Sequence, residues 1–179
     1  MPFDDPSARI DDATAVSTVE TNLLGPIRMT SSLIEHLKQQ PRAAIVNNTS
    51  VLAYVPLATS AVYSATKAAV LSYTTSLQGD LNHAGLQIRA RALCPDVVRT
   101  AMVTEREKDA GAALLFAGPK PLDADDVAAS GLRLLQSRQI FRVVPRWRGA
   151  LARTSDVAPS VGLPVLDAMR RVGHRRQRD

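Results

Sequence analysis

A chain of 179 residues with 45% hydrophobic side chains can bury one core of ordinary domain size and is too short for several. No apolar run reaches the eighteen residues that would suggest a membrane span, the acidic start Met-Pro-Phe-Asp-Asp-Pro does not read as a secretory signal, and a single cysteine, Cys94, excludes an internal disulfide, so a cytoplasmic location is expected. The net charge of +5 sits at one end, with nine arginines against three aspartates from Gln139 onward; with aromatics at 4%, a stacking surface for nucleic acid is not expected, nor is membrane contact by the basic tail.

Residues 1–11, with two prolines and several aspartates, read as a loop. From about Asp12 to Gln40, Val19, Leu23, Ile27, Met29, Leu33, Ile34 and Leu37 recur at three- and four-residue steps, a helical period. Gly25-Pro26 falls inside it and predicts a kink or local break. Ala43 to Ser50 is a short apolar run with β-branched residues, a buried strand. Residues 51–59, with Pro56, form a loop. Ser60 to about His83 is a second long helix, with Gly85 as its stop signal. Leu86 to Cys94 is another strand, ended by Pro95. Residues 96–122 are irregular, with a short helix around 101–113 and breakers at Gly118-Pro119 and Pro121. Asp123 is a good N-cap for a third helix reaching about Ser137. Gln139 to Val144 is a last strand, ended by Pro145. The remaining residues read as a solvated basic extension containing one short helix at 163–172.

The order α-β-α-β-loop-α-β predicts an α/β fold, a Rossmann-like parallel sheet with flanking helices. Residues 1–145 form that domain and 146–179 the extension. Ligands of such sheets sit at the carboxyl edge. Ser50 and Pro95 both close predicted strands, and Tyr63 opens the helix after the first, so these residues converge there.

Tyr63 and Lys67 are four apart and share a helix face. A neighbouring ammonium favours the phenolate, so the pair predicts a Tyr63 pKa lowered towards the operating pH. Ser50 offers a neutral hydroxyl that can donate to an oxygen gaining charge. Together they can move a proton to or from a carbonyl or alcohol oxygen. The Tyr-x-x-x-Lys pair alone is weak and fits an exposed helix face equally well; strand-end Ser50 thirteen residues earlier is what raises it. His36, His83 and His174 have no partner motif and read as surface or satisfied side chains. Cys94 lies in an apolar strand and reads as a buried inert thiol rather than a nucleophile.

Four segments carry a family resemblance: Thr21-Asn22-Leu23-Leu24-Gly25, Ile45 to Ser50, Tyr63-Ser-Ala-Thr-Lys67-Ala-Ala-Val, and Ala92 to Thr100. In this order and spacing they resemble the short-chain dehydrogenase/reductase superfamily. The resemblance implies hydride transfer between NAD or NADP and a small carbonyl or alcohol substrate, in a homo-oligomer such as a dimer, with no metal. Tyr63 would be the acid/base, Lys67 would lower its pKa and hold the nicotinamide ribose, Ser50 would orient the substrate oxygen, and Asn22 would anchor a proton-relay water. Pro95, Asp96, Val98 and Thr100 would join Tyr63 and Lys67 at the cofactor, Thr100 bonding its carboxamide. The segment Ala101–Leu122 would cover the substrate; its apolar run Ala112 to Phe116 fits either an apolar substrate or packing on the core.

Two departures stand out. The family usually has Pro-Gly where this chain has Pro95-Asp96; the aspartate adds bulk and negative charge where glycine lets backbone approach the nicotinamide. No G-x-G-x-x-G exists to cradle the pyrophosphate. With roughly 30 residues per βαβ unit, something like 80–90 residues of the family's cofactor-binding half are missing, so an open sheet edge and exposed apolar helix faces are expected. Two functions remain: an oxidoreductase whose polypeptide is longer than this chain, or a catalytically inactive remnant serving as a dimerisation or binding module. A Ser-Lys or Ser-His hydrolase is disfavoured, because no G-x-S-x-G elbow surrounds any serine.

Overall fold

The computed structural model describes residues 10–55, 60–105, 113, 117, 118, 120–157 and 159–176. Pro56, Pro119 and all of the Ala112 to Phe116 run except Ala113 lie outside them, as does the helix predicted beyond Glu105.

The first long helix is built in two parts. The helix α1 (Asp12–Val19) starts on Asp11, whose carboxylate accepts from the Thr14 amide at 2.9 Å. It runs through a π-helical turn, Glu20–Leu24, into α2 (Gly25–Lys38). The break expected at Gly25-Pro26 takes this form. Pro26 has no N–H to give the carbonyl four residues back, and the chain widens by one turn, with the Gly25 amide reaching Glu20 O. Asn22 sits on that turn.

Next come β1 (Ala43–Asn48), a 3-10 turn at Val51–Ala53, and α3 (Ala61–His83), which closes on Gly85 in the left-handed region at φ 68°. They are followed by β2 (Ile88–Pro95), the short α4 (Ala101–Glu105), α5 (Ala124–Leu135) and β3 (Phe141–Val144). Two more helices, α6 (Arg146–Val157) and α7 (Pro159–Arg176), complete the described chain.

The three strands form one parallel sheet in the order β1-β2-β3, as the alternation of helix and strand predicts. Central β2 is buried on both faces, which explains its nearly unbroken apolar run. Leu81, Ile88 and Ala90 pack with Ile34, Leu37 and Leu77 from the long helices. Val127 and Leu134 of α5 pack on Leu93 of β2, and Val51, Ala92, Cys94, Val143 and Ala152 form a third cluster.

Two expectations are corrected. Asp123 occupies the N-cap position of α5 with extended backbone, but its side chain caps nothing; its carboxylate lies 3.7 Å from Arg99 Nε, both side chains exposed. The basic segment differs from the expected solvated extension with one short helix at 163–172 in its helices and in its first part, which packs, while Val157, Val161, Leu163 and Val165 are exposed. It forms two helices, and Ala152 of α6 is 1% exposed. Gly149 makes this packing possible: a Cβ there would stand 3.1 Å from Val143 Cβ. The contacts run through Gly149 and Ala152, small residues that carry no bulky apolar period to read.

The open edge expected of the sheet is present. Among the described residues, β1 pairs only with β2. Val46 is 38% exposed, and Met29 and Leu33 of α2 are exposed as well. No described helix is long and apolar enough to cross a membrane.

Candidate active site

Asn48 pairs with Leu93 in the β1–β2 register, so Ser50 and Pro95, each two residues further on, emerge side by side at the carboxyl edge. The strand ends are pinned there. The Thr49 amide and hydroxyl both donate to Leu93 O, at 2.7 and 3.0 Å, and the hydroxyl lies 2.9 Å from Cys94 Sγ. Behind them, Asn47 Nδ2 donates to the Thr74 hydroxyl at 2.8 Å in full burial and fixes α3 against β1.

Ser50 continues β1 in extended geometry, and its Oγ accepts from the Leu52 amide at 3.1 Å, starting the 3-10 turn. The same hydroxyl is near enough to the Tyr63 phenol to favour its ionised form. Lys67 stands one helical turn beyond Tyr63. Its Nζ donates to Asn48 O at 3.1 Å and lies 5.5 Å from the Tyr63 ring centroid, a cation–π distance. Asn22 Nδ2 donates to Thr66 Oγ1 at 3.3 Å, and Thr66 Oγ1 donates to Tyr63 O at 2.7 Å. The π-turn, the end of β1 and the first turns of α3 thus bring Asn22, Ser50, Tyr63 and Lys67 together.

The electrostatics differ from expectation. Burial pushes the Tyr63 phenol above its usual pKa, and only the Ser50 hydroxyl pulls the other way. Burial also holds Lys67 below the usual lysine value. The predicted lowering of the tyrosine by its lysine is therefore not the direction seen; desolvation sets it. In this state Tyr63 is a protonated donor at neutral pH.

Of the residues expected at the cofactor, Pro95 is buried at the end of β2. The Asp96 amide donates to Val144 O at 2.8 Å, and its carboxylate lies 2.9 Å from Arg148 Nε, an ion pair without hydrogen-bond alignment whose side chains are 14% and 19% exposed. Val98 bridges Leu122 and packs, half-buried, on the Leu93–Val127–Leu134 cluster. Thr100 is exposed, and its carbonyl starts α4 by accepting from Val103 N and Thr104 N. Sequence reasoning missed Thr66 and Arg148. Thr66 carried no signal beyond its position three residues after Tyr63. Arg148 did: an aspartate in place of glycine calls for a cation, and the arginine-rich segment could supply one.

Elsewhere, His36 and His83 are exposed on helices, while the side chain of His174 lies outside the described set. Cys94 is fully buried, and its thiol is pushed up to about 11, as expected of an inert cysteine. No cluster of potential metal ligands exists among the described residues.

Sequence comparison decides the lineage: the profile of the short chain dehydrogenase family matches residues 3–111. The chain belongs to that family. The chain is 38% identical over 84 residues to DltE, an uncharacterized oxidoreductase of Bacillus subtilis (strain 168), covering 47% of this chain and 32% of the relative. It is 33% identical over 87 residues to the NADPH-dependent 1-acyldihydroxyacetone phosphate reductase of Schizosaccharomyces pombe, covering 49% of this chain and 29% of that one. The chain spans less than half the length of these curated relatives. A short chain dehydrogenase from Burkholderia cenocepacia J2315, crystallised with NADP, superposes with a TM-score of 0.70 at 22% identity, over 91% of this chain and 63% of its own. A short chain dehydrogenase/reductase from Burkholderia phymatum in complex with NAD gives 0.65 at 25% identity, over 74% of this chain and 53% of its own. The fold of the chain is thereby Rossmann-like.

Proposed function

We propose that this chain carries the proton-transfer half of an NAD(P)-dependent oxidoreductase that interconverts a small carbonyl compound and its alcohol. The observation that carries the proposal is the convergence of Ser50 and Tyr63 at the carboxyl edge, with the Lys67 ammonium 5.5 Å from the Tyr63 ring centroid and anchored on Asn48 O behind it. In the reducing direction Tyr63 gives its phenolic proton to the substrate oxygen. Ser50 donates to the same oxygen and holds it against the phenol. Lys67 places a cation under the ring, where it stabilises the phenolate left behind. Asn22 and Thr66 hold the Tyr63 backbone and offer a polar path away from the site. Relatives that bind NADP, NADPH or NAD support either dinucleotide as the cofactor.

The nicotinamide end of such a cofactor fits these residues. Lys67, Thr100 and the Pro95-Asp96 end of β2 would hold it, and when bound it supplies or accepts the hydride. The pyrophosphate end finds no glycine-rich strand-to-helix turn among the described residues. The β1 edge, open among the described residues, favours a second function, a binding or dimerisation module. A homo-oligomer is proposed in either case.

Titration of the Trp147 fluorescence with NADH and NADPH tests the choice, using this chain beside a form extended by whatever reads in frame upstream of Met1. Tight binding by either form, with carbonyl reduction that Tyr63→Phe abolishes, supports the oxidoreductase. Absence of binding by both forms overturns it and leaves the module.

A further inference from the structure

Asp96 stands where the family's pattern has glycine, and Arg148 reaches it from the segment that reads as an appendage. The contact is 2.9 Å long and mostly buried. The guanidinium is held from other sides as well: its Cζ lies 4.9 Å from the Trp147 ring centroid, and a side chain at Gly118 would collide with it. A charge this far from water needs its partner, because breaking a buried pair leaves one charge desolvated and uncompensated.

On α6, Ala152 stands one turn beyond Arg148 on the same face, and Gly149, next to Arg148 in sequence, borders it. Gly149 lies against Val143, and Ala152 packs in the cluster that encloses Cys94. The Asp96 amide ties the end of β2 to β3 at Val144 O. The ion pair therefore fastens the first turn of α6 where β2 and β3 end, and the helix then covers Val143 and Cys94.

We propose that Asp96 and Arg148 form a latch that closes α6 over the carboxyl end of β2, so that the arginine-rich segment is a wall of the candidate site. Calling that edge a site rests on the oxidoreductase function above; the latch itself does not. The latch also removes the objection to an aspartate there, since its charge is matched within the protein.

Cys94 reports the latch from inside. The thiol is fully buried and stays protonated at pH 8, so a thiol reagent reaches it only when the cover lifts. The test measures the rate of Cys94 modification in the native chain, without cofactor. Arg148→Ala and Asp96→Ala are each expected to raise that rate about tenfold or more, and the double variant to add little. Arg148→Lys, which keeps the charge, recovers part of the protection. Arg171→Ala, which breaks the exposed Asp167–Arg171 pair of α7, leaves the rate unchanged. Asp96→Asn keeps the shape and removes only the charge, so it decides the matter should the alanine variants unfold. Rates within twofold of the parent for Asp96→Asn, or additive effects in the double variant, overturn the latch without touching the assignment of Tyr63.

Discussion

The two sides of β2 are finished differently. On the β3 side, α5 and α6 cover a strand of only four residues, and Leu134, Cys94 and Ala152 are sealed from water. On the β1 side a longer strand leaves its outer edge without a strand among the described residues and Val46 partly exposed. Tyr63 and Lys67 approach from this open side, Lys67 through the Asn48 carbonyl. The closed side holds the fold, and the open side holds the groups suited to chemistry. A site that must admit a ligand is built where burial is incomplete, and the rigidity it needs is borrowed from the neighbouring core.

That division can be broken by experiment. The largest effect is expected from Tyr63→Phe. In a form that turns over, it removes the proton donor and costs about a hundred- to ten-thousand-fold in carbonyl reduction, while the urea midpoint hardly moves. A matching fall in stability would mean that Tyr63 belongs to the core. Leu134→Ala should do the reverse, lowering unfolding free energy by about 2–5 kcal/mol in urea titrations. Gly149→Ala forces a methyl towards Val143 and is expected to cost about 1–3 kcal/mol, without effect on reagents that report on Tyr63.

A smaller effect concerns pH. Cys94 keeps its proton up to about 11 in the folded state against 9.0 when exposed, and the folded Tyr63 is shifted the same way. The native state thus binds more protons than the unfolded state above about pH 9, so stability falls as pH rises through that range. Lys67, shifted down, contributes the opposite slope. Urea melts at pH 8 and 10.5 with Cys94→Ala isolate the cysteine's share: the variant should lose less stability between the two. The smallest effect is expected at Val46→Thr on the open side, a change within about 0.5 kcal/mol. A large loss there would show that this face is covered in solution.

Much of this could be read from the chain. The two strands, the first ending at Asn48 rather than at the expected Ser50, the long helix after Ser60 and the parallel order follow from β-branched runs, helical spacing and Gly–Pro punctuation. The grouping of Ser50, Tyr63 and Lys67 followed from motif spacing together with the rule that parallel sheets place ligands at one edge, while Asn22 joined them through the family resemblance. What could not be read was energetic or long-range. The direction of the Tyr63 shift depends on how much water the fold removes, which spacing does not encode. The packing of α6 rests on Gly149 and Ala152, whose small size is the signal. The partnership of Asp96 with Arg148 joins residues that only the fold brings together.

The π-turn at Glu20–Leu24 is, in length, a helix with one residue too many. Deleting a single residue there would let α1 and α2 merge into one regular helix. Because each residue of an α-helix turns the chain by about 100°, everything on one side of the cut would rotate by that angle relative to the other. Asn22 would then swing away from Thr66, or α2 away from the sheet. The surplus residue acts as a phase setter: it lets one continuous rod present Asn22 to α3 and, about three to four turns later, Ile34 and Leu37 to the core.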